Sequence, residues 1–331
     1  MKLKATLLVV FYILSMAKWQ GQAQDQQAPT DMVAPAIAGV VAGGTKVQLV
    51  KDGFKNTDGV VAMPDGSALF WDNDPVSAIY KVDNSGNVSP FLEHMRGTQG
   101  LGLDSKGRLI AVEHAPAAIA VIYPPGSEAV LASKFEGKPF NDPNDLVIST
   151  KGGIYFSVSN DHEVYYISPA GKVMLVLKDT VESRLNGLQL SPNEKTLYVT
   201  SQSLEQAVDL STTQKQDGES LLAFDVQPDG TLRNRRVLAK YERMNQRPEK
   251  SPIRRGGDGL AIDSKGRIYA ATAAGVQIFS PQGEHLGTIP VPRNPASLDF
   301  AGPDKKTLYI AARQGLYKVQ MEAQGFKGRA K

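Results

Sequence analysis

A turn followed by a short apolar strand recurs six times along the chain, and this repeat limits what the chain can fold into. In each copy, turn-forming Asp, Asn, Ser or Gly precedes β-branched and aromatic residues. The copies are 63–71, 104–111, 149–156, 191–199, 263–270 and 302–310. Their first apolar strand residues are separated by 40, 45, 43, 71 and 40 positions. Because repeats of about 40–50 residues made of short strands are typical of propellers, we predict an all-β fold, a six-bladed β-propeller with four-stranded blades, over 46–322.

The interval of 71 residues predicts an insertion of about 25–30 residues within 203–256. Its basic residues are Arg233, Arg235, Arg236, Lys240, Arg243, Arg247, Lys250, Arg254 and Arg255. Two interpretations stay open, a solvated loop and a lid or docking arm for an anionic partner. Residues 323–331 are predicted to form a tail after the propeller.

The first 23 residues have the pattern of a secretory signal peptide. A basic start at Lys2 and Lys4 precedes an apolar run over 5–17, and Gly21-Gln22-Ala23 places small residues at a cleavage site. The apolar run is too short to span a membrane. We expect export, to the periplasm or beyond, after cleavage near Ala23, with no stable membrane anchor. Residues 24–45, rich in Gln, Ala, Pro and Gly, are predicted to be a flexible lead-in.

Charge and cysteine content exclude several functions. Removing Lys2, Lys4 and Lys18 with the signal peptide would leave 34 basic and 34 acidic residues, so nothing points to nucleic acid as a partner. The chain has no Cys, which excludes disulfides, thiolate metal sites and a cysteine nucleophile. We expect a monomer that acts on a small molecule.

A polar residue lies ten or eleven positions before the first apolar strand residue of each repeat, where the innermost strand of each blade is expected to begin. These residues are Asp58, Gln99, Asn144, Asn186, Asp258 and Ser297. Because the inner strands of a propeller surround one axis in the same direction, the six side chains are expected to converge on one mouth of a central channel. Carboxylate and amide oxygens in a ring suit one divalent metal, above all Ca²⁺, with Zn²⁺, Mn²⁺ and Mg²⁺ as alternatives. A single Asx-Gly pair would indicate only a turn.

The turns that join the second and third strands are expected to open at the same mouth. They place His114, Asn160 and Gln202 in a layer above the metal. Asn160 and Gln202, together with Gln99 and Asn144, are predicted to bind substrate. His114 is a candidate proton relay, because neutral imidazole exchanges a proton near neutral pH; the alternative is an ordinary surface histidine.

Several ordered motifs resemble the family of senescence marker protein 30 (regucalcin), gluconolactonases and luciferin-regenerating enzyme. The resemblance covers about residues 47–320. Its motifs are Pro143-Asn-Asp-Leu146 with Gly152-Gly-Ile-Tyr-Phe156, Leu185-Asn-Gly-Leu188 with Ser191-Pro-Asn193, Gly257-Asp-Gly-Leu260 with Gly266-Arg-Ile-Tyr269, and 302–313 with Gly315-Leu-Tyr317. The resemblance implies a six-bladed propeller with an axial divalent metal, commonly Ca²⁺, and hydrolysis of a sugar lactone.

The resemblance also implies roles for single residues. It assigns the metal to Asp58, Asn186 and Asp258, gives Asn144 a contact with metal or substrate, and makes Asp258 the general base. This sequence departs from the family pattern at Asp58, which replaces a glutamate, and at Asp142, where vertebrate members have an arginine that grips substrate. Two other functions stay open: a secreted non-catalytic binding propeller with a structural metal, and an aryl-ester or phosphotriester hydrolase, as in the related paraoxonases.

Overall fold

The computed structural model describes residues 32–73, 77–95, 97–179, 183–203, 219–242, 255–329 and 331. Within these ranges the chain is built of β-strands, with one short 3₁₀ helix at Ser159–Asp161 between β13 and β14. The strands, in chain order, are β1 Met32–Val33, β2 Lys46–Ala62, β3 Ala68–Asp72, β4 Ala78–Val82, β5 Val88–Leu92, β6 Thr98–Leu103, β7 Leu109–His114, β8 Ala117–Tyr123, β9 Ala129–Ala132, β10 Lys134–Phe135, β11 Lys138–Pro139, β12 Pro143–Ile148, β13 Ile154–Val158, β14 Glu163–Ile167, β15 Val173–Lys178, β16 Ser183–Leu190, β17 Thr196–Ser203, β18 Ser220–Val226, β19 Leu232–Lys240, β20 Arg255–Ile262, β21 Ile268–Thr272, β22 Gly275–Phe279, β23 His285–Ile289, β24 Ser297–Ala301 and β25 Thr307–Gln320. The predicted all-β fold is confirmed.

The strands form antiparallel meanders in which consecutive strands pair. The orders β6-β7-β8-β9 and β12-β13-β14-β15 are separate four-stranded sheets. The runs β16 to β19 and β20 to β23 repeat the pattern and are joined where β17 also pairs with β20. β2 pairs with β3 over 57–62 and with β25 over 48–57, so one sheet joins the first meander to the last strands of the chain. The strand that follows each predicted turn is present in all six repeats.

The first strands of the meanders contact one another in sequence, and the last of them contacts the first. A hydrogen bond from Val60 N to Ser297 Oγ, 3.0 Å long, joins β2 to β24. Leu188 N donates to Asp145 Oδ2 at 3.1 Å, which joins β16 to β12. Gly259 N donates to Ala296 O at 2.7 Å, at the start of β24. The apolar core fills the space between neighbouring sheets, as where residues of β13 and β14 pack with residues of β16 and β17. The sheets are therefore arranged like the blades of a propeller.

The segment before β2 is packed against the sheets. β1 pairs with the start of β2, and Ile37 bridges to Val41. Ile37 and Val40 are 5% and 0% exposed and lie in the core cluster formed with β21, β22 and β24. Residues 32–45 of the predicted flexible lead-in are thus held in place, because Ala34, Ile37, Val40 and Val41 pack into the same core. Residues 1–31, with the predicted signal peptide, lie outside the described residues.

We expect the substitution Ile37→Ala to lower the free energy of unfolding by about 2–4 kcal/mol, because it leaves a cavity in this core. Val33→Ala is the matched control, since Val33 is 49% exposed and should change stability by less than about 0.5 kcal/mol. Urea denaturation measures both values. Equal stabilities of the two variants would contradict the packing of this segment.

Four basic residues of the predicted insertion lie on one strand, and four others lie outside the described residues. Arg233, Arg235, Arg236 and Lys240 lie on β19, the outer strand paired with β18. Arg235 pairs with Asp179 at 3.1 Å and Arg236 with Asp225 at 2.7 Å. Residues 204–218 and 243–254, with Arg243, Arg247, Lys250 and Arg254, lie outside the described residues. Among the residues that are described, no helix is long and apolar enough to cross a membrane.

Candidate functional site

The six polar residues predicted to form a ring lie at the start of the first strand of each meander or, for Asp58, where β2 meets β3. In five of these strands the register with the second strand shifts at this point. The shifts lie between Asp58 and Val61, Thr98 and Leu101, Pro143 and Leu146, Leu185 and Leu188, and Gly257 and Leu260. Such β-bulges bend a strand and turn its side chains, and they are frequent next to binding sites. The sixth strand, β24, pairs with β25 without a shift.

The glycine that follows four of these polar residues lets neighbouring inner strands touch. A Cβ atom on Gly59 would overlap the carbonyl oxygen of Gln99, and a Cβ on Gly187 would overlap that of Asp258. A Cβ on Gly100 would lie 2.8 Å from the Cα of Asp145. A Cβ on Gly259 would lie 2.9 Å from Ala296 O of the next blade. The repeated polar-Gly pair therefore reflects close approach of backbones around the ring, beyond ordinary turn chemistry.

Hydroxyl groups from second strands hold two of the bulges in place. Ser157 Oγ accepts from Asp145 N at 3.1 Å and donates to Asn186 O at 2.7 Å. Thr200 Oγ1 accepts from Gly187 N at 2.6 Å and donates to Asp258 O at 2.8 Å. Each hydroxyl bridges one inner strand to the next and satisfies backbone groups that the bulge removes from the ladder. The positions of Asn186 and Asp258 are thereby fixed through the backbone.

Burial of carboxylates among these polar residues favours the binding of a positive charge. Burial raises the pKa of Asp58 above its ordinary value, and the nearby Asp145 carboxylate acts in the same direction. The Gly59 amide, Lys331 and Arg313 oppose this rise. Because a buried anion is costly without a partner, a cation bound here would stabilise the ionised form of Asp58.

The donor set fits a hard divalent cation. The ring offers the carboxylates of Asp58 and Asp258 and the buried amides of Asn144 and Asn186. Asn144 Nδ2 donates to Gln99 Oε1 at 2.6 Å, so Asn144 Oδ1 takes no part in that bond and can serve as an oxygen ligand. No group of three His, Cys, Asp or Glu side chains that could hold a metal occurs within the described ranges, so the fit rests on carboxylates combined with amides. Such oxygen sets suit Ca²⁺ better than Zn²⁺.

His114 lies beside the ring in a network that the sequence did not predict. Its Nε2 lies 2.7 Å from Pro143 O, and a carbonyl can only accept, so Nε2 carries the hydrogen. Nδ1 is then the basic nitrogen, and it lies 3.7 Å from Asp142 Oδ1. The other oxygen of Asp142 accepts from Arg184 Nη2 at 2.7 Å. The position of the family's substrate arginine therefore holds an aspartate that positions an arginine from the neighbouring strand.

The remaining predicted site residues differ in exposure. Asn160 lies exposed in the 3₁₀ helix. Gln202 is only 2% exposed, at the point where β17 pairs with both β16 and β20. Within the described residues no donor reaches Gln202 Oε1. Arg184, two residues before Asn186 on the same strand, could have been found from the period of two that places alternate residues on one face.

A family model described as the SMP-30/gluconolactonase/LRE-like region matches residues 57–314, which is more than half of the chain. The matched range contains all six polar residues of the ring. The chain belongs to this family. The resemblance predicted from the sequence is thereby confirmed.

Relatives known from sequence or from structure match most of this chain and most of their own length. A gluconolactonase from Zymomonas mobilis is 25% identical over 324 residues, which covers 88% of this chain and 86% of that protein. A gluconolactonase from Xanthomonas campestris has a similar structure, with a TM-score of 0.70, 23% identity, and coverage of 89% of this chain and 95% of that one. The calcium-binding protein regucalcin from Agrobacterium tumefaciens has a TM-score of 0.65 at 16% identity, covering 85% and 95%. At these identities the structural likenesses show the fold alone.

Proposed function

We propose that this protein hydrolyses a sugar lactone in a reaction that depends on one divalent metal, Ca²⁺, bound by the polar residues of the inner strands. The observation that supports the proposal is the close approach of the bulged inner strands, each of which carries one of these polar residues, two of them carboxylates. The gluconolactonase from Zymomonas mobilis, which matches most of the chain, supports the lactone as substrate.

The number of blades and the export of the protein are part of the same proposal. We take the fold to be a six-bladed propeller, since six first strands begin at comparable positions of six sequence repeats and contact one another in turn. The basic and apolar start of the sequence supports export, to the periplasm or beyond. We further take the protein to act as a monomer on a small molecule.

In this mechanism Asp258 is the general base. Its carboxylate takes a proton from the water that attacks the lactone carbonyl carbon, the ring C–O bond breaks, and the leaving oxygen takes up a proton to give a hydroxy acid. Asn144 and Gln99, already hydrogen-bonded to each other, orient the carbonyl or a sugar hydroxyl. His114 can relay a proton only through Nδ1, on the side of Asp142.

Asp58, Asn144, Asn186 and Asp258 would hold the metal, with Asp58 one methylene shorter than the family's glutamate. When bound there, Ca²⁺ supplies Lewis-acid polarisation of the carbonyl. Arg184, held by Asp142, is a further cation beside the ring that could contact an anionic substituent of the substrate.

A panel of lactones, aryl esters and phosphotriesters, assayed with Ca²⁺ and with EDTA, tests this function. We expect lactone hydrolysis that falls by at least about 100-fold in EDTA and returns with Ca²⁺, because chelation removes the stabilisation of the developing oxyanion. A pH-stat measures the acid released.

The other candidate functions are outcomes of the same panel. Preferred turnover of aryl esters or phosphotriesters would replace the lactone as substrate. A lower melting temperature in EDTA without any turnover would indicate a binding propeller with a structural metal. Hydrolysis that is unaffected by EDTA would contradict the metal.

A further inference from the structure

The segment 323–331 is predicted as a tail, and its described residues 323–329 run across the ends of the inner strands. Phe326 N donates to Ile262 O, at the end of β20, with a length of 3.2 Å. Lys305 Nζ donates to the carbonyl oxygens of Phe326 and Arg329, at 3.0 and 3.3 Å. The polar ring lies toward the start of the same strands. The described part of the segment therefore lies at the ends of these strands that are opposite to the polar residues.

Arg329 anchors this segment beneath β16. Its Nη2 donates to Gln189 Oε1 at 2.9 Å and to Leu190 O, and its Nη1 donates to Ser191 O at 3.3 Å. The guanidinium carbon lies 5.1 Å from the centre of the Phe326 ring. Burial lowers the pKa of Arg329 to about 10, which still leaves the group charged at neutral pH. A charged side chain with this many partners fixes the path of the segment.

Beyond Arg329, the side chain of Lys331 is buried against β12. Lys331 Nζ lies 2.8 Å from Asp145 Oδ1, and the two side chains are 1% and 6% exposed. A main-chain oxygen of Lys331 lies against Gly102 of β6, where a Cβ would be 3.0 Å away. The charge of Lys331 lowers the pKa of both Asp58 and Asp299, against the larger effect of burial. The ammonium group thus pairs with Asp145 and also acts electrostatically on Asp58 and Asp299, which lie on two other inner strands.

We propose that Lys331 is a built-in counter-ion of the channel, which neutralises Asp145 and thereby sets how tightly the ring binds a divalent cation. Asp145 donates no ligand to the ring, because Oδ1 binds Lys331 and Leu146 N while Oδ2 binds Leu188 N. The ammonium keeps the carboxylates compatible with burial when no metal is bound. Lys331 acts through Asp145 and is a positioning residue.

The first experiment measures Ca²⁺ affinity by calorimetry for the wild type and for Lys331→Met; this arm rests on the proposed function. Removing one positive charge near the ring should tighten Ca²⁺ binding by roughly tenfold or more, since opposite charges a few ångströms apart interact strongly at an effective dielectric constant of about 20. The double variant Asp145→Asn/Lys331→Met restores the net charge and should return the affinity to within about threefold of the wild type. Lys327→Met, an exposed lysine of the same segment, should leave it unchanged.

The second experiment measures melting temperature in EDTA, where metal plays no part. We expect Lys331→Met to melt roughly 10 °C below the wild type, because Asp145 is left buried without its partner. The double variant should recover most of this loss, and Lys327→Met should match the wild type.

The two experiments separate this proposal from the proposed function. A wild type that binds no Ca²⁺ would count against the metal, while the melting temperatures in EDTA would still decide the role of Lys331. The counter-ion role is overturned if Lys331→Met behaves like Lys327→Met in both measurements.

Discussion

Replacing the carboxylate of Asp258 by an amide should lower kcat/KM for lactone hydrolysis by about a thousandfold or more. Asp258→Asn keeps the size of the side chain and leaves the backbone carbonyl that Thr200 holds at 2.8 Å. It removes the general base, which contributes about 10²–10⁴ in rate. It also removes one of the two carboxylates of the proposed metal site, so Ca²⁺ affinity should fall as well. A pH-stat assay and calorimetry measure the two losses.

Asp229→Asn provides the matched control for this experiment. Asp229 lies in an exposed turn and accepts hydrogen bonds from the backbone and hydroxyl of Thr231, far from the inner strands in the sheet order. The control should keep both turnover and Ca²⁺ affinity. Near-normal hydrolysis by Asp258→Asn would rule out Asp258 as the base, and retained affinity would remove it from the metal ligands.

The repeat and its polar positions could be predicted from the sequence because both are local and periodic. A turn before each strand needs only a few adjacent residues, as at Asp104, whose backbone N–H donates to Arg108 O at 3.0 Å. The positions of the ring residues follow from the same period, since each polar residue lies at a constant spacing before the next turn. The close approach of the inner strands explains why four of these polar residues precede glycine, a pattern that the sequence alone left open between a turn and a site.

Contacts between distant parts of the chain could not be predicted. The pair of Lys331 and Asp145 joins positions 186 residues apart, and no sequence repeat indicates this contact. The pair of Arg184 and Asp142 likewise joins strands of two neighbouring meanders. The packing of Ile37 depends on a core that its own Pro- and Ala-rich surroundings do not indicate. Single long-range contacts of this kind depend on the closed arrangement, which only the whole chain defines.

The close approach of inner strands makes Gly187 the position where the smallest change should have the largest structural effect. Gly187 follows Asn186, and its amide donates to Thr200 Oγ1 at 2.6 Å. Its backbone conformation is one that other residues also adopt, so an added methyl group would act through space alone. That methyl would overlap Asp258 O and lie 3.0 Å from the Cα of Gly259. All these atoms are backbone, so they cannot rotate away as a side chain could.

We therefore expect Gly187→Ala to lower the free energy of unfolding by about 3 kcal/mol and kcat/KM by at least about 100-fold, because it separates the strands that carry Asn186 and Asp258. Gly171→Ala is the control: no atom lies within 4 Å of its Cβ position, and its φ of +81° alone should cost about 1 kcal/mol without loss of activity. Urea denaturation and lactone assays on both variants measure these effects. If Gly187→Ala lost stability but kept full turnover, the spacing between these two strands would not matter to the chemistry, and the ring could not be the active site.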